Sequence, residues 1–231
     1  MDVPAKFTSV DPSWPLIVQY FKWDKHPALP ELEFYCSHNI SELKPLLIQN
    51  KQSWQWPYLW ESGVALARWI LDLYHEPFIK DRLVFDIGTG QGAALIAAKK
   101  RGAKIAVGVD CCVFSELVLA CNSERNKVTT VSYTKDLFKA TIPDGSLILA
   151  SDLIYGQPTS KDLMDKLVDL SQTSDVVIAQ ATGRRNPKFE INDDNFYKFA
   201  QYSIPTFTPK LELDPEMEVT LYSVGKPLEL K

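Results

Sequence analysis

From residue 82 onward the chain alternates short apolar runs with longer stretches of helical periodicity. Residues 82–87, 104–110, 129–134, 146–151 and 174–181 fit strands, and 92–101, 114–126, 159–173 and 191–201 fit helices. Gly102 stops the first of these helices, and Thr159-Ser160-Lys161-Asp162 opens the third with a capping-box-like start. Such alternation predicts an α/β fold, a parallel sheet covered on both faces. The end of the chain differs. Tyr202-Ser203-Ile204 and Glu218–Val224 read as two strands with no helix between them, joined by a proline-broken linker, Pro205–Pro215, so this pair is expected to run antiparallel.

Upstream, Trp60, Val64, Ala67 and Leu71, flanked by Leu66, Ile70 and Leu73, recur at helical spacing, with Glu61, Arg68 and Asp72 mostly away from that stripe. Pro77 is expected to end this helix, because the residue before proline avoids the helical region. Residues 1–50 have little periodicity. Leu32-Glu33-Phe34-Tyr35 and Asn39–Leu43 could pair as a short hairpin, and Pro27, Pro30 and Pro45 break anything longer. All six tryptophans fall in the first 80 residues, which predicts an irregular N-terminal lobe, residues 1–50, packed on the same domain as a regular body, residues 51–231.

Candidate chemistry concentrates where the first apolar run, Leu83-Val84-Phe85-Asp86-Ile87, enters the turn Gly88-Thr89-Gly90-Gln91-Gly92-Ala93. Eighteen residues after Gly92 a second run ends in Asp110. A strand–turn–helix–strand unit of this kind presents a nucleoside at the ends of parallel strands, with glycine backbone approaching the ligand and Asp110 placed to accept both ribose hydroxyls. The turn also satisfies the G-x-G-x-x-A dinucleotide fingerprint. Three features favour S-adenosyl-L-methionine instead. Asp86 would repel a pyrophosphate but suits the positively charged methionine end of a sulfonium. The turn lies about a third of the way along the chain, after a helix, and the sheet closes with an antiparallel pair. An NAD-type site and a ligand-free turn are the alternatives.

Composition narrows the partners. Hydrophobic content of 45% and charged content of 23% over 231 residues suit one globular domain. A net charge of −4 gives nucleic acid no electrostatic support, and Lys99-Lys100-Arg101 and Arg184-Arg185 read as local groups. Cys36, Cys111, Cys112 and Cys121 lack metal-ligand spacing and read as reduced thiols. No apolar run reaches the roughly 18 residues a bilayer requires. Met1-Asp2-Val3-Pro4 resembles neither a secretory signal nor a transit sequence, so a cytoplasmic protein is expected.

Three segments resemble a known family. Trp60-Glu61-Ser62-Gly63-Val64-Ala65-Leu66-Ala67-Arg68-Trp69-Ile70-Leu71, Val84-Phe85-Asp86-Ile87-Gly88-Thr89-Gly90-Gln91-Gly92 and Leu149-Ala150-Ser151-Asp152-Leu153-Ile154-Tyr155 are similar to the class I lysine methyltransferases called methyltransferase family 16. Ala181-Thr182-Gly183-Arg184 and Val219-Thr220-Leu221-Tyr222 resemble the electron-transfer-flavoprotein β-subunit lysine methyltransferases and their bacterial relatives. The resemblance covers roughly residues 55–225. It departs at Trp60-Glu61, where the family usually has Trp-Pro, and at Ala181-Thr182, where the flavoprotein-directed enzymes usually have Asp-Pro.

The resemblance implies a Rossmann-like, seven-stranded methyltransferase sheet, mostly parallel with an antiparallel C-terminal pair, and a protein substrate. It implies that Trp60 and Ser151 line the cofactor cleft, that Gly88 and Gly90 contact the cofactor, that Asp110 takes the ribose hydroxyls and that Asp136 and Leu137 lie near the adenine. The Asp152-x-x-Tyr155 element would stand at the methyl end. There Asp152 is expected to attract and orient a lysine ammonium, and desolvation beside Tyr155 to assist loss of a proton whose unperturbed pKa is about 10.4. A small-molecule N-methyltransferase, or a methyltransferase-like binding subunit without activity, are the rival readings.

Overall fold

The computed structural model describes residues 17–37, 39–51, 53–73, 77–128, 131–134, 140–154, 159–182, 194–207 and 215–229. Two short strands, β1 (Phe21–Asp24) and β2 (Phe34–Ser37), pair antiparallel near the N-terminus. Seven more form one sheet: β3 (Leu83–Ile87), β4 (Ile105–Val109), β5 (Val131–Thr134), β6 (Leu147–Ser151), β7 (Asp175–Thr182), β8 (Phe196–Pro205) and β9 (Glu216–Val224). Their order is β5-β4-β3-β6-β7-β9-β8. The β3–β4, β3–β6, β4–β5 and β6–β7 pairs are parallel, whereas β9 runs antiparallel to both β7 and β8. The chain therefore builds outward from β3 through β4 to β5, then returns to place β6 on the other side of β3. That reversal opens a crevice at the carboxyl ends of β3 and β6, where ligands of doubly wound sheets bind.

The helices are α1 (Ile40–Gln49), α2 (Glu61–Asp72), α3 (Ala93–Lys100), α4 (Val113–Arg125) and α5 (Thr159–Ser171). Alternate residues of the buried strands feed two cores, as the period of two in a strand requires. Val177, Ala179 and Ala181 of β7 join Val84, Leu149 and the helices α2 and α3 on one face. Val176 and Ile178 join Phe85, Ile148 and Leu167 of α5 on the other. A third core lies outside the sheet: Phe21, Tyr35, Leu43 and Leu47 pack with Trp56, Tyr58 and Phe114, Leu117 and Val118 of α4.

Three expectations are corrected. Residues 196–201, expected within a helix, belong to strand β8, where Phe196 is registered with Val224 and the ladder continues to Pro205 against Glu216. The register slips between Lys198 and Ala200, so Phe199 is the extra residue of a bulge. It breaks the period of two, and Phe199 instead packs its ring 5.4 Å from Trp69. The aromatic run favours a strand once β9 is beside it.

The expected hairpin between residues 32–35 and 39–43 does not form. β2 pairs with β1, and Ile40–Gln49 is helical through Pro45 because Ile40, Leu43 and Leu47 make one buried stripe. Helix α2 ends at Asp72, ahead of Pro77, and Glu61 is buried at its start rather than lying away from the apolar stripe.

Candidate active site

The turn after β3 is shaped by packing as much as by any ligand. Gly88, Gly90 and Gly92 have φ of 67°, 47° and 79°, the left-handed region that L side chains avoid. A Cβ on Gly88 would fall 2.3 Å from Leu153 Cδ2, and one on Gly92 would fall 2.2 Å from Leu119 Cδ1. Gly90 differs. Its Cβ would meet nothing closer than 3.9 Å, so the backbone there borders open space. The Gly88 amide donates to the Val109 carbonyl at 2.7 Å and ties the turn to the end of β4.

Two acids bracket this turn. Asp86, 2% exposed, accepts the Thr89 hydroxyl on Oδ2 at 2.8 Å. Burial pushes its pKa up to about 7; the Thr89 hydroxyl and Leu95 amide pull it down, and the Asp110 charge raises it further. Asp110, just beyond β4, accepts the Gly90 amide on Oδ2 and the Cys112 amide on Oδ1, each at 2.9 Å. Burial also raises the Asp110 pKa, against the pull of those two amides and of the Ser115 hydroxyl.

The third acid lies beyond β6. Asp152 adopts φ of 49°, a conformation that Asp tolerates better than most residues. Its amide donates to the Ala179 carbonyl at 3.1 Å, while its Oδ1 accepts the Ser62 hydroxyl at 2.7 Å and the Ala181 amide at 3.3 Å. Helix α2 and strand β7 thus hold one carboxylate between them. A Cβ on Gly63 would lie 3.4 Å from Ser151 Oγ, so the first turn of α2 rests on the end of β6. Leu153 bridges this loop to Gly88.

Trp60 is the N-cap of α2; its indole N–H donates to the Gln55 carbonyl at 2.7 Å, and its ring meets those of Trp54 and Tyr58 edge-on.

Asp86, Gly88, Gly90, Gly92, Asp110, Ser151 and Asp152 therefore stand at the carboxyl ends of the neighbouring strands β4, β3 and β6, with Trp60 brought beside them by α2. Tyr155, Asp136 and Leu137 lie outside the described residues, as do Arg184 and Arg185. Sequence reasoning missed Ser62, whose partner Asp152 is 90 positions away, and the burial of Glu61. Among the described residues no group of His, Cys, Asp and Glu could hold a metal ion.

The sheet order, the glycine turn and the strand-end acids define a doubly wound fold of the methyltransferase kind. Residues 46–201, well over half the chain, match the family model described as lysine methyltransferase. The chain belongs to that family. It is similar to the electron transfer flavoprotein beta subunit lysine methyltransferase of Danio rerio, with 30% identity over 119 residues, covering 51% of this chain and 45% of that protein. The human protein of the same name is 27% identical over 113 residues, covering 48% and 41%. The chain thus matches somewhat under half the length of these curated relatives.

Among solved structures, the fold is shared with the tRNA (uracil-54, C5)-methyltransferase of Pyrococcus abyssi in complex with S-adenosyl-L-homocysteine, at TM-score 0.54 and 14% identity, covering 89% of this chain and 44% of that one. It is also shared with the ribosomal protein L11 methylase of Lactobacillus delbrueckii subsp. bulgaricus, at TM-score 0.50 and 19% identity, covering 73% and 81%.

Proposed function

We propose that this chain is an S-adenosylmethionine-dependent methyltransferase that methylates a lysine side chain of a protein substrate. The observation that carries the proposal is the convergence of Asp86, Asp110 and Asp152 on the carboxyl ends of three adjacent strands around the open backbone of Gly90. Family membership and the activity named for the relatives support lysine as the acceptor.

The residues fit the cofactor. Gly90 offers backbone without obstruction, and Asp110, held at the end of β4 by the Gly90 and Cys112 amides, would accept the ribose hydroxyls. Asp86 is buried and needs a nearby cation to ionise fully at neutral pH. Trp60 and Ser151 would line the cleft, with Asp136 and Leu137 assigned near the adenine by the family resemblance. When bound, S-adenosylmethionine supplies an electrophilic methyl group on a sulfonium sulfur. The protein's share of the chemistry is alignment and exclusion of water.

Asp152 keeps its carboxylate at the cleft because Ser62 and the Ala181 amide fix its orientation. It attracts the lysine ammonium, and the amine then loses its proton to solvent as Tyr155 and the loop displace water.

We assign the catalytic unit to residues 51–231, with residues 1–50 packed on it, a reading supported by the contacts of β1, β2 and α1 with α4. We place the protein in the cytoplasm, supported by Cys36, Cys111, Cys112 and Cys121 standing outside any disulfide. Among the described residues no helix is long and apolar enough to cross a membrane.

Calorimetric titration with S-adenosylmethionine and S-adenosylhomocysteine, followed by labelled methyl transfer to purified candidate proteins and to lysate, tests the proposal. Asp152→Ala should lower turnover on the order of 100-fold or more while S-adenosylhomocysteine binding stays within about threefold. Turnover near that of the unsubstituted protein would remove Asp152 from the mechanism. Label appearing only in a metabolite would replace the protein substrate with a small amine, and no cofactor binding would defeat the catalytic reading.

A further inference from the structure

A buried chain of amides links the N-terminal strands to the glycine turn. Asn122 of α4 is fully buried. Its Oδ1 accepts the Tyr35 amide of β2 at 2.7 Å, and its Nδ2 donates to the Gln91 carbonyl at 2.9 Å and to Gln91 Oε1 at 3.1 Å. The orientation of the carboxamide is settled by these partners, since only the oxygen can receive the Tyr35 N–H. Gln91, itself 3% exposed, passes the connection on by donating from Nε2 to the Trp56 carbonyl at 2.9 Å. The Trp56 ring stacks between Phe21 of β1 and Phe114 of α4, with centroids 5.6 and 5.3 Å away.

Asn126, the C-cap of α4, makes a similar clamp on Glu33, the residue before β2, without reaching the turn. It accepts the Glu33 amide on Oδ1 at 3.1 Å and donates from Nδ2 to the Glu33 carbonyl at 2.7 Å. The two asparagines thus bind the backbone of Glu33 and of Tyr35, at the start of β2, as a neighbouring strand would. Only Asn122 also holds the backbone of Gln91, between Gly90 and Gly92.

We propose that Asn122 is a positioning residue for the cofactor turn, through which the N-terminal strands set the affinity for S-adenosylmethionine. The proposal rests on the methyltransferase reading and adds to it a role for the segment before the glycine turn. Gln91 and its neighbours carry no regular secondary structure, so their placement depends on such side-chain bonds. Once Nδ2 of Asn122 is lost, the Gln91 carbonyl and carboxamide are left buried without that donor, and the open backbone at Gly90 is no longer held in one geometry.

The test compares Asn122→Ala, Gln91→Met and Asn126→Ala in the full chain. Three readouts are taken: S-adenosylhomocysteine affinity by calorimetry, cofactor-free thermal unfolding, and hydrogen exchange of the Gly90–Gly92 amides. Asn122→Ala and Gln91→Met should each weaken S-adenosylhomocysteine binding about tenfold and speed exchange in the turn. Asn126→Ala should lower the unfolding midpoint at least as much as Asn122→Ala while leaving affinity within about twofold.

Affinity that tracks the loss of midpoint equally in all three variants, or that moves in none, would overturn the proposal. If Asn122→Ala fails to fold, Gln91→Met decides, because it leaves the α4–β2 clamp intact. If the unsubstituted protein binds no S-adenosylhomocysteine, the methyltransferase reading fails separately. Exchange in the turn then decides, with faster exchange in Asn122→Ala and Gln91→Met but not Asn126→Ala as the supporting result.

Discussion

Replacing Asp86 by Asn should remove the fall of stability with rising pH near neutrality. Burial raises the Asp86 pKa from its ordinary value of 3.8 to about 7. Between those two values the folded chain holds a proton that the unfolded chain has released, so stability falls as pH rises, by up to about 1.4 kcal/mol per pH unit. Over about three units the ceiling is about 4 kcal/mol, reduced by whatever relaxation lets water or a dipole reach the carboxylate.

His26 works in the opposite direction. Fully buried, with Nδ1 accepting the Ala28 amide and Nε2 donating to the Pro205 carbonyl, it has a pKa lowered from 6.5 to about 4 by desolvation. Between pH 4 and 6.5 the unfolded chain takes up the extra proton, so this group makes stability rise with pH. In the unsubstituted protein the two slopes offset each other up to about pH 6.5, and Asp86 alone lowers stability from there to about pH 7.

In Asp86→Asn only the His26 rise remains of this pair. The variant without cofactor should gain on the unsubstituted protein steadily from pH 4.5 to 7 and be more stable by roughly 2 kcal/mol at pH 7.5. Its affinity for S-adenosylmethionine should fall. Urea denaturation at half-unit pH intervals measures the difference. A difference that does not change with pH, or a variant less stable at pH 7.5, would refute the assignment of the raised pKa to Asp86.

Two further substitutions test the packing. Gly88→Ala combines a φ of 67° with a Cβ 2.3 Å from Leu153 and should cost roughly 2–4 kcal/mol, whereas Gly145→Ala has φ of 76° but nothing within 4 Å and should cost about 1 kcal/mol; urea denaturation compares them. Arg82 donates to the Gly145 and Ser146 carbonyls at 3.0 and 2.8 Å and pairs with Asp175 at 2.9 Å, tying together the amino ends of β3, β6 and β7. Arg82→Leu should lose roughly 1–3 kcal/mol with no change in S-adenosylhomocysteine affinity by calorimetry.

The parallel half of the sheet is legible because its strands are buried on both faces, so Leu83–Ile87, Ile105–Val109 and Leu147–Ser151 read as plain apolar runs between turn residues. The glycine turn is legible for a related reason: positive φ leaves few alternatives to glycine. β8 is hidden by its own bulge, since Phe199 shifts the alternation and leaves a spacing that mimics a helix. α1 is hidden by Pro45, which sits on the exposed side of the helix while Ile40, Leu43 and Leu47 bury the other. Ser62 and Asn122 carry no local signal at all. Each acts through a partner about 90 positions away, and no periodicity in the chain encodes such a pairing.

In the proposed site, a structural and a catalytic role for the three strand-end acids need not compete. Asp110 is compensated by two backbone amides, and Asp152 by a hydroxyl and an amide in a half-exposed position. These bonds hold loops in place and, on the proposed reading, the same geometry would keep negative charge aimed at the cleft with little reorganisation left for the reaction. Asp86 is the exception. Its burial outweighs the help of Thr89 and Leu95, so its charge is the least favourable of the three in the free protein. A cation placed beside it would offset part of that penalty, more than a neutral hydrogen-bond donor can, whereas an anion would add to it. On the proposed reading the turn is thereby biased toward a positively charged nucleoside before any contact with the adenine or ribose is counted, and the proton that Asp86 would give up on binding makes that selection measurable as an affinity that strengthens as pH rises toward about 7 and levels off above it.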